Sequence, residues 1–219
     1  MSAEANDSVS NAHRLFVYMG QGSVVPRDVT HVHVHPSVRL IAAGAFDGCD
    51  ELVEVELCEG LEEIGGEAFS NCKSLKRITI PSSVRVIGCG AFDGCIGLVE
   101  VELCEGLEVI GNWGFASCIS LKRITIPSSV RSIGKGAFMY CEGLVDVELC
   151  EGLEVIDGAF SNCESLRRIT IPSTVRVIGE YAFCGCPSLR RITIPSSVRV
   201  IAARAFSGCD KLVEVELCG

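Results

Sequence analysis

Short runs that alternate apolar and polar residues recur along the chain. Each run follows the pattern L-x-x-[IV]-x-[IL], which places its later apolar residues on one face of an extended strand. In the first clear run, Val55 and Leu57 point inward, whereas Glu54 and Glu56 face water. The pattern predicts strands at 52–57, 75–80, 98–103, 121–126, 144–149, 166–171, 189–194 and 212–217.

A phenylalanine marks each repeat at intervals of 23 residues, with one interval of 22: Phe46, Phe69, Phe92, Phe115, Phe138, Phe160, Phe183 and Phe206. The short interval lacks one residue between Ile156 and Ala159, where we predict a turn, so that neighbouring strands keep their register. A single repeat cannot bury its own apolar edge. The period therefore predicts stacked 23-residue coils with a parallel β-sheet, short turns or strands on the other sides, and little helix.

The repeats IPSSVRVIGCGAFDGC and ITIPSSVRSIGKGAFMYC resemble the BspA-type leucine-rich repeat, and the resemblance extends from Val38 to Leu217. It implies a leucine-rich-repeat solenoid that recognises or adheres to other proteins without catalysis, as in bacterial cell-surface adhesins. A solenoid is a scaffold, so its surface residues determine which ligand it binds. A passive structural or assembly module of a larger repeat protein is the alternative function.

Three segments are predicted along the chain. Residues 1–13 are polar and are expected to form a disordered tail, and residues 14–30 an N-terminal strand and turn that cap the first coil. Residues 31–219 form the solenoid, with about eight to nine coils and an incomplete last one. That uncapped last coil predicts end-to-end self-association or continuation in a longer array.

The predicted strands are of two kinds, acidic (LVEVELCEG) and basic (LKRITIPSS or LRRITIPSS). From residue 52 the order is acidic, basic, acidic, basic, acidic, basic, basic, acidic. Opposite charges are therefore expected side by side on the outward face: Glu54, Arg77, Glu100, Arg123 and Asp146. A second ladder follows the strands: Arg39, Glu62, Arg85, Glu108, Arg131, Glu154 and Arg176. The simplest role of both ladders is to fix register and keep the surface soluble.

Two adjacent basic strands interrupt this alternation, and they predict a crowded patch of uncompensated cations. We expect it to bind an acidic protein partner or an anion through the guanidinium groups. The alternative is a repeat duplication whose charge is screened by salt. The candidate partner-binding residues are Arg167, Arg168, Thr170, Arg190, Arg191 and Thr193, with Arg176 and Arg199 on the second ladder.

The segment HVHVHP, residues 31–36, aligns with the basic strands. Val32 and Val34 then take inward positions, and His31 and His33 lie beside Glu54 and Glu56. This register favours histidine–glutamate contacts in the charge ladder, which respond to pH near neutrality. A metal site formed by the same two histidines and two glutamates is the alternative.

Fourteen cysteines occur, and eight of them follow the repeat phenylalanine by three residues. These eight are predicted to stack as a buried column of small apolar side chains: Cys49, Cys72, Cys95, Cys118, Cys141, Cys163, Cys186 and Cys209. Cys89 and Cys184 occupy variable positions and are the candidate reactive thiols. With the histidines, they leave a metal-binding or redox protein as a second alternative function.

Composition excludes several other classes. A net charge of −9 argues against a general nucleic-acid binder, and no apolar run reaches the ~20 residues of a membrane span. All four histidines precede residue 36 and no glycine-rich phosphate loop occurs, so neither catalysis nor a cofactor is predicted. The polar N-terminus lacks a secretory hydrophobic segment, which favours the cytoplasm, whereas the resemblance to adhesins implies the cell surface.

Overall fold

A computed structural model describes residues 14–218 as about eight stacked coils of ~23 residues, without helix in this range. The predicted leucine-rich-repeat solenoid is therefore confirmed. The strands are β1 (Leu15–Tyr18), β2 (His31–Val34), β3 (Leu40–Ile41), β4 (Glu54–Glu56), β5 (Glu63–Ile64), β6 (Arg77–Ile80), β7 (Val86–Ile87), β8 (Glu100–Leu103), β9 (Val109–Ile110), β10 (Arg123–Ile126), β11 (Ser132–Ile133), β12 (Asp146–Leu149), β13 (Val155–Ile156), β14 (Arg168–Thr170), β15 (Val177–Ile178), β16 (Arg191–Pro195), β17 (Val200–Ile201) and β18 (Glu214–Cys218).

The strands form two parallel columns on different sides of the coils. The strand face carries β1 and the even-numbered strands, in the orders β1-β2-β4, β6-β8 and β10-β12-β14-β16-β18. The other column holds the two-residue strands, β3 to β11 and then β13 to β17. The expected parallel sheet is thus confirmed, but its ladder is interrupted between β4 and β6 and between β8 and β10.

The missing residue in the short repeat is absorbed without loss of register, as predicted. Arg123 pairs with Asp146, 23 residues later, and Asp146 pairs with Arg168, 22 residues later. Across the deletion, Val155 pairs with Val177, also 22 residues later. A turn therefore accommodates the deletion, and the strands on either side stay aligned.

The repeat phenylalanines form a single column of rings through the core. Successive ring centroids lie 4.9 to 5.9 Å apart, in near-parallel planes. At the N-terminal end Tyr18 packs on Phe46 with centroids 5.1 Å apart, and its hydroxyl accepts a hydrogen bond from the Ala42 N–H at 3.0 Å. The tail predicted for residues 1–13 lies outside the described residues.

The third side of each coil is a stack of turns around the repeat phenylalanine. The residues two before and two after this phenylalanine have left-handed backbone angles, for example Gly44 (φ 63°) and Gly48 (φ 67°). Glycine favours this region because it has no Cβ. The turns are linked between coils by backbone hydrogen bonds such as Phe46 N–H to Ala68 O at 2.7 Å. This linkage keeps the third side in register with the two strand columns.

Candidate functional site

From β2 to β18, the first outward position of each long strand forms one row of charged or histidine side chains across the strand face, called here the outer row. Its in-register pairs agree with the predicted neighbours wherever the ladder is continuous. They are His31 with Glu54, Arg77 with Glu100, Arg123 with Asp146, Asp146 with Arg168, Arg168 with Arg191, and Arg191 with Glu214.

Arg168 and Arg191 lie directly opposite each other on β14 and β16. The expectation that these two cations are uncompensated is wrong. Arg168 Nε lies 3.4 Å from Asp146 Oδ1, and Arg191 Nη2 lies 2.6 Å from Glu214 Oε2. Each arginine turns away from the other toward the acidic strand on its far side, so the two like charges are each compensated once.

Arg167 and Arg190 precede these strands and differ from their neighbours in having no acidic partner among residues 14–218. Both side chains are exposed, and the Arg190 N–H donates to Arg167 O at 3.3 Å. We call Arg167, Arg168, Arg190 and Arg191 the arginine patch. Its excess positive charge resides on the two arginines that precede the strands.

Arg176 and Arg199 are not part of this group. They precede β15 and β17 in the column of short strands, where the Arg199 N–H donates to Arg176 O at 2.8 Å. The structure therefore places them together with each other, on a different side of the coil from the arginine patch.

Thr170 and Thr193 face each other in register beside the arginine patch. Thr193 donates its hydroxyl to Glu216 Oε2 at 3.1 Å, on the next strand. Thr79 and Thr125 donate in the same way to Glu102 and Glu148, each on the next strand. Thr170 has a threonine in that place, so its exposed hydroxyl lacks this contact.

The histidine strand has the predicted register, but its side chains form two separate pairs. His33 Nδ1 lies 2.9 Å from Glu56 Oε2, and His31 Nε2 lies 3.7 Å from Glu54 Oε2. His31 Nδ1 also lies 2.9 Å from the Thr30 hydroxyl. Within residues 14–218, no three His, Cys, Asp or Glu side chains converge as metal ligands would.

The cysteine column lies in the core, and seven of its eight members are buried as predicted, whereas Cys209 at the C-terminal end is half-buried. Its inner members donate Sγ–H to the phenylalanine carbonyl of the preceding coil at 3.1 to 3.3 Å, a contact that sequence reasoning did not anticipate. Burial raises the pKa of Cys118 and raises that of Cys186 to about 12. Cys89 is exposed and Cys184 half-buried, and both are free thiols.

Six copies of the BspA type Leucine rich repeat region match the chain, over residues 26–145, 62–175 and 134–219. The chain belongs to the BspA-type leucine-rich repeat family. This family and its fold are typically non-enzymatic and are associated with protein interaction or scaffolding. The comparison with curated proteins found no match.

Solved structures support the same architecture for this BspA-type repeat. A leucine-rich repeat protein from Bacteroides ovatus is 27% identical with a TM-score of 0.63, and the match covers 86% of this chain and 69% of that one. The T. pallidum leucine-rich repeat protein is 33% identical with a TM-score of 0.63, covering 80% of this chain and 79% of that one.

Acidic and basic coils of this BspA-type repeat are joined by turn contacts that sequence reasoning missed. Glu105 accepts hydrogen bonds from the Ser128 N–H at 3.1 Å and the Ser129 N–H at 3.0 Å, and Ser129 Oγ accepts from the Gly106 N–H at 3.0 Å. The Ser128 N–H contact lowers the pKa of Glu105 below its usual range. Glu151 caps the turn at Ser173 in the same way. The available signal was the recurrence of CEG one coil before PSS or PST.

The described residues include no helix with the length and hydrophobicity that a membrane crossing requires. The charge pattern departs from the repeat on the strand face, at the in-register pair Arg168–Arg191.

Proposed function

We propose that this BspA-type repeat protein is a non-catalytic recognition scaffold that binds an acidic segment of a protein partner at the arginine patch. The observation that carries the proposal is the in-register pair Arg168–Arg191. The other in-register pairs of the outer row join a basic residue to an acidic one. In a repeat protein the departure from the repeat marks the surface that distinguishes one member from another.

The patch has the geometry to receive carboxylates. Neighbouring strands lie about 4.8 Å apart, so Arg167 and Arg190 present two guanidinium groups within reach of one acidic side chain. Guanidinium groups bind carboxylates through paired, charge-assisted hydrogen bonds. The free hydroxyl of Thr170 adds a donor beside them. Because the strand face is exposed, the partner segment needs no conformational opening to reach the site.

The proposal includes no catalytic step. The acidic side chains of the strand face recur with the repeat, at Glu54, Glu100 and Glu214 in equivalent positions. A catalytic pair of carboxylates needs a distinct environment that separates the pKa values of the two groups. Recurrence in equivalent positions favours a structural role for these carboxylates, with recognition assigned to the patch.

Selection from a random peptide display library on the intact chain tests the proposal. We expect enrichment of peptides rich in Asp and Glu, with binding that weakens as salt rises. The double variant Arg167→Ser/Arg190→Ser should lose this enrichment because it removes the two unpaired cations. Arg131→Ser/Lys211→Ser, which removes two exposed cations elsewhere, is the matched control. Equal enrichment by both variants would overturn the proposal.

A second role, stacking of the last coil against another coil, is favoured by the exposure of inward-facing residues on β18. Val215 is 50% exposed and Leu217 77%, whereas their equivalents Val147 and Leu149 are buried. A second copy of the chain is the proposed occupant of this surface. Light scattering should show concentration-dependent dimers that Leu217→Glu abolishes. A monomer at all concentrations for both proteins would contradict this role.

A further inference from the structure

A cationic cleft lies on the strand face next to the arginine patch. Its volume is about 520 Å³, and its lining residues are Lys122, Arg123, Val145, Asp146, Arg167 and Arg168. Three consecutive coils contribute: the first provides a lysine and an arginine, the second an aspartate beside a valine, and the third two arginines. We call this feature the Asp146 cleft.

Asp146 lies between the two walls of the cleft and contacts an arginine of each. Its Oδ2 lies 4.0 Å from Arg123 Nε and its Oδ1 lies 3.4 Å from Arg168 Nε. The side chain is 32% exposed, compared with 69% for Glu54 and 41% for Glu214 in equivalent positions. Aspartate is one methylene shorter than glutamate, so its carboxylate stays low and leaves the space above it open.

Lys122 and Arg167 line the cleft on the coils either side of Val145, joined to it by the backbone hydrogen bonds Val145 N–H to Lys122 O and Arg167 N–H to Val145 O. Both are exposed and neither has an acidic partner within the part of the chain that the structure describes. The lining thus carries four cationic groups and the single carboxylate of Asp146, which leaves an excess of positive charge. The strands of the two walls are two sheet spacings apart, about 9.6 Å, which leaves room for a compact anionic group between them.

The charge of the cleft selects among anions. A carboxylate would add one more monoanion to a position where Asp146 already bridges Arg123 and Arg168. A phosphoryl group carries a charge of about −1.5 to −2 and three acceptor oxygens, so it can contact Lys122 and Arg167 together with the wall arginines. We propose that the Asp146 cleft binds the phosphoryl group of a phosphorylated serine or threonine in a protein partner.

Continuity with the arginine patch supports a peptide as the carrier of this group. Arg167 and Arg168 belong to both features, so an acidic segment lying across β14 and β16 reaches the Asp146 cleft on β12 without a break. This inference rests on the proposed function, because the phosphorylated residue is placed by the same acidic segment that the patch binds.

Calorimetric titration of the intact chain with matched peptides tests the inference. The probes are an acidic ten-residue peptide with one central phosphoserine, the same peptide with serine or glutamate there, and inorganic phosphate alone. We expect the phosphoserine peptide to bind about tenfold more tightly than the other two peptides. Inorganic phosphate should bind far more weakly, since it lacks the acidic segment.

Single substitutions separate the cleft from the patch. Lys122→Ser should remove the preference for phosphoserine and leave the glutamate peptide bound. Asp146→Glu should do the same because the longer side chain fills the cleft, and this residue type already occupies the equivalent positions Glu54 and Glu100. Arg190→Ser should weaken the binding of all three peptides and leave the preference for phosphoserine unchanged.

The outcomes distinguish the two proposals. Equal affinity of the three peptides, or a preference that survives Lys122→Ser, overturns the phosphoryl inference while the recognition of acidic segments stands. Binding of inorganic phosphate as tight as that of the phosphopeptide overturns the assignment to a protein partner. If no peptide binds, the proposed function and this inference both fail.

Discussion

Arg168 and Arg191 lie opposite each other on β14 and β16, as two cations in a row whose other in-register pairs join basic to acidic residues. Asp146 and Glu214 flank the pair and bind one arginine each. The row Asp146, Arg168, Arg191 and Glu214 is thus balanced across four strands, and the excess positive charge of the patch resides on Arg167 and Arg190, which precede the strands. This arrangement limits the cost of placing two arginines side by side, and the proposed acidic partner would meet the uncompensated pair.

The outer row predicts that the effect of a charge-reversing substitution on the free energy of unfolding depends on its position in the row. Glu100→Arg places an arginine opposite Arg77, and should lower the free energy of unfolding by about 0.5–1 kcal/mol. Arg191→Glu removes the like-charge pair with Arg168 and creates a like-charge pair with Glu214. The free energy of unfolding should therefore change by less than about 0.5 kcal/mol. Urea denaturation measures both. A cost of Arg191→Glu equal to that of Glu100→Arg would contradict the alternation argument.

The ring column predicts a steep gradient of stability from its middle to its end. Phe115 is fully buried, with neighbouring ring centroids at 5.0 and 5.5 Å, so Phe115→Ala should cost about 3–5 kcal/mol. Phe206 is half-buried at the end of the column, and Phe206→Ala is the matched control with a smaller loss. Chemical denaturation followed by circular dichroism checks the difference, and equal losses would refute the gradient.

The turn caps predict a loss of stability in acid. Backbone N–H donors at Ser128 and Ser173 lower the pKa of Glu105 and Glu151 from the ordinary value of 4.5. Because the folded pKa lies below the unfolded one, this stabilisation is complete above pH 4.5 and disappears as pH falls through the lowered values. The melting temperature, measured across pH 2–7, should therefore depend less steeply on pH in the double variant Glu105→Gln/Glu151→Gln than in the unaltered chain.

Glu180→Gln is the control for this acid effect, because Glu180 makes no side-chain hydrogen bond in the described region. Its melting curves should follow those of the unaltered chain at every pH. An acid dependence of the double variant as steep as that of the unaltered chain would show that the caps do not contribute.

The thiols predict an ordered reaction with alkylating agents. The thiolate is the reactive form, and burial raises the pKa of Cys118 and Cys186 while it blocks access. Cys89 should be labelled first in the folded protein, Cys184 more slowly, and the buried column only after unfolding. Mass spectrometry of timed iodoacetamide reactions measures the order. Labelling of Cys118 before Cys89 would contradict the core assignment.

The fold was predictable from sequence because each coil repeats the same few constraints. The phenylalanine interval and the alternation around Val55 determine which residues face inward, and parallel stacking then sets partners such as His33 with Glu56. Sequence alignment does not determine side-chain direction, however. That Arg168 turns to Asp146, and that Glu105 caps Ser128, depends on side-chain conformations in the assembled sheet. The interrupted ladder between β4 and β6 likewise has no counterpart in the repeat pattern.

The most direct test of the central claim is nuclear magnetic resonance mapping of a selected acidic peptide on the isotope-labelled chain. The account predicts that the shifted amide signals concentrate on β14 and β16 and around Arg167 and Arg190. Shifts concentrated on the column of short strands or on the turns around the phenylalanines would contradict it.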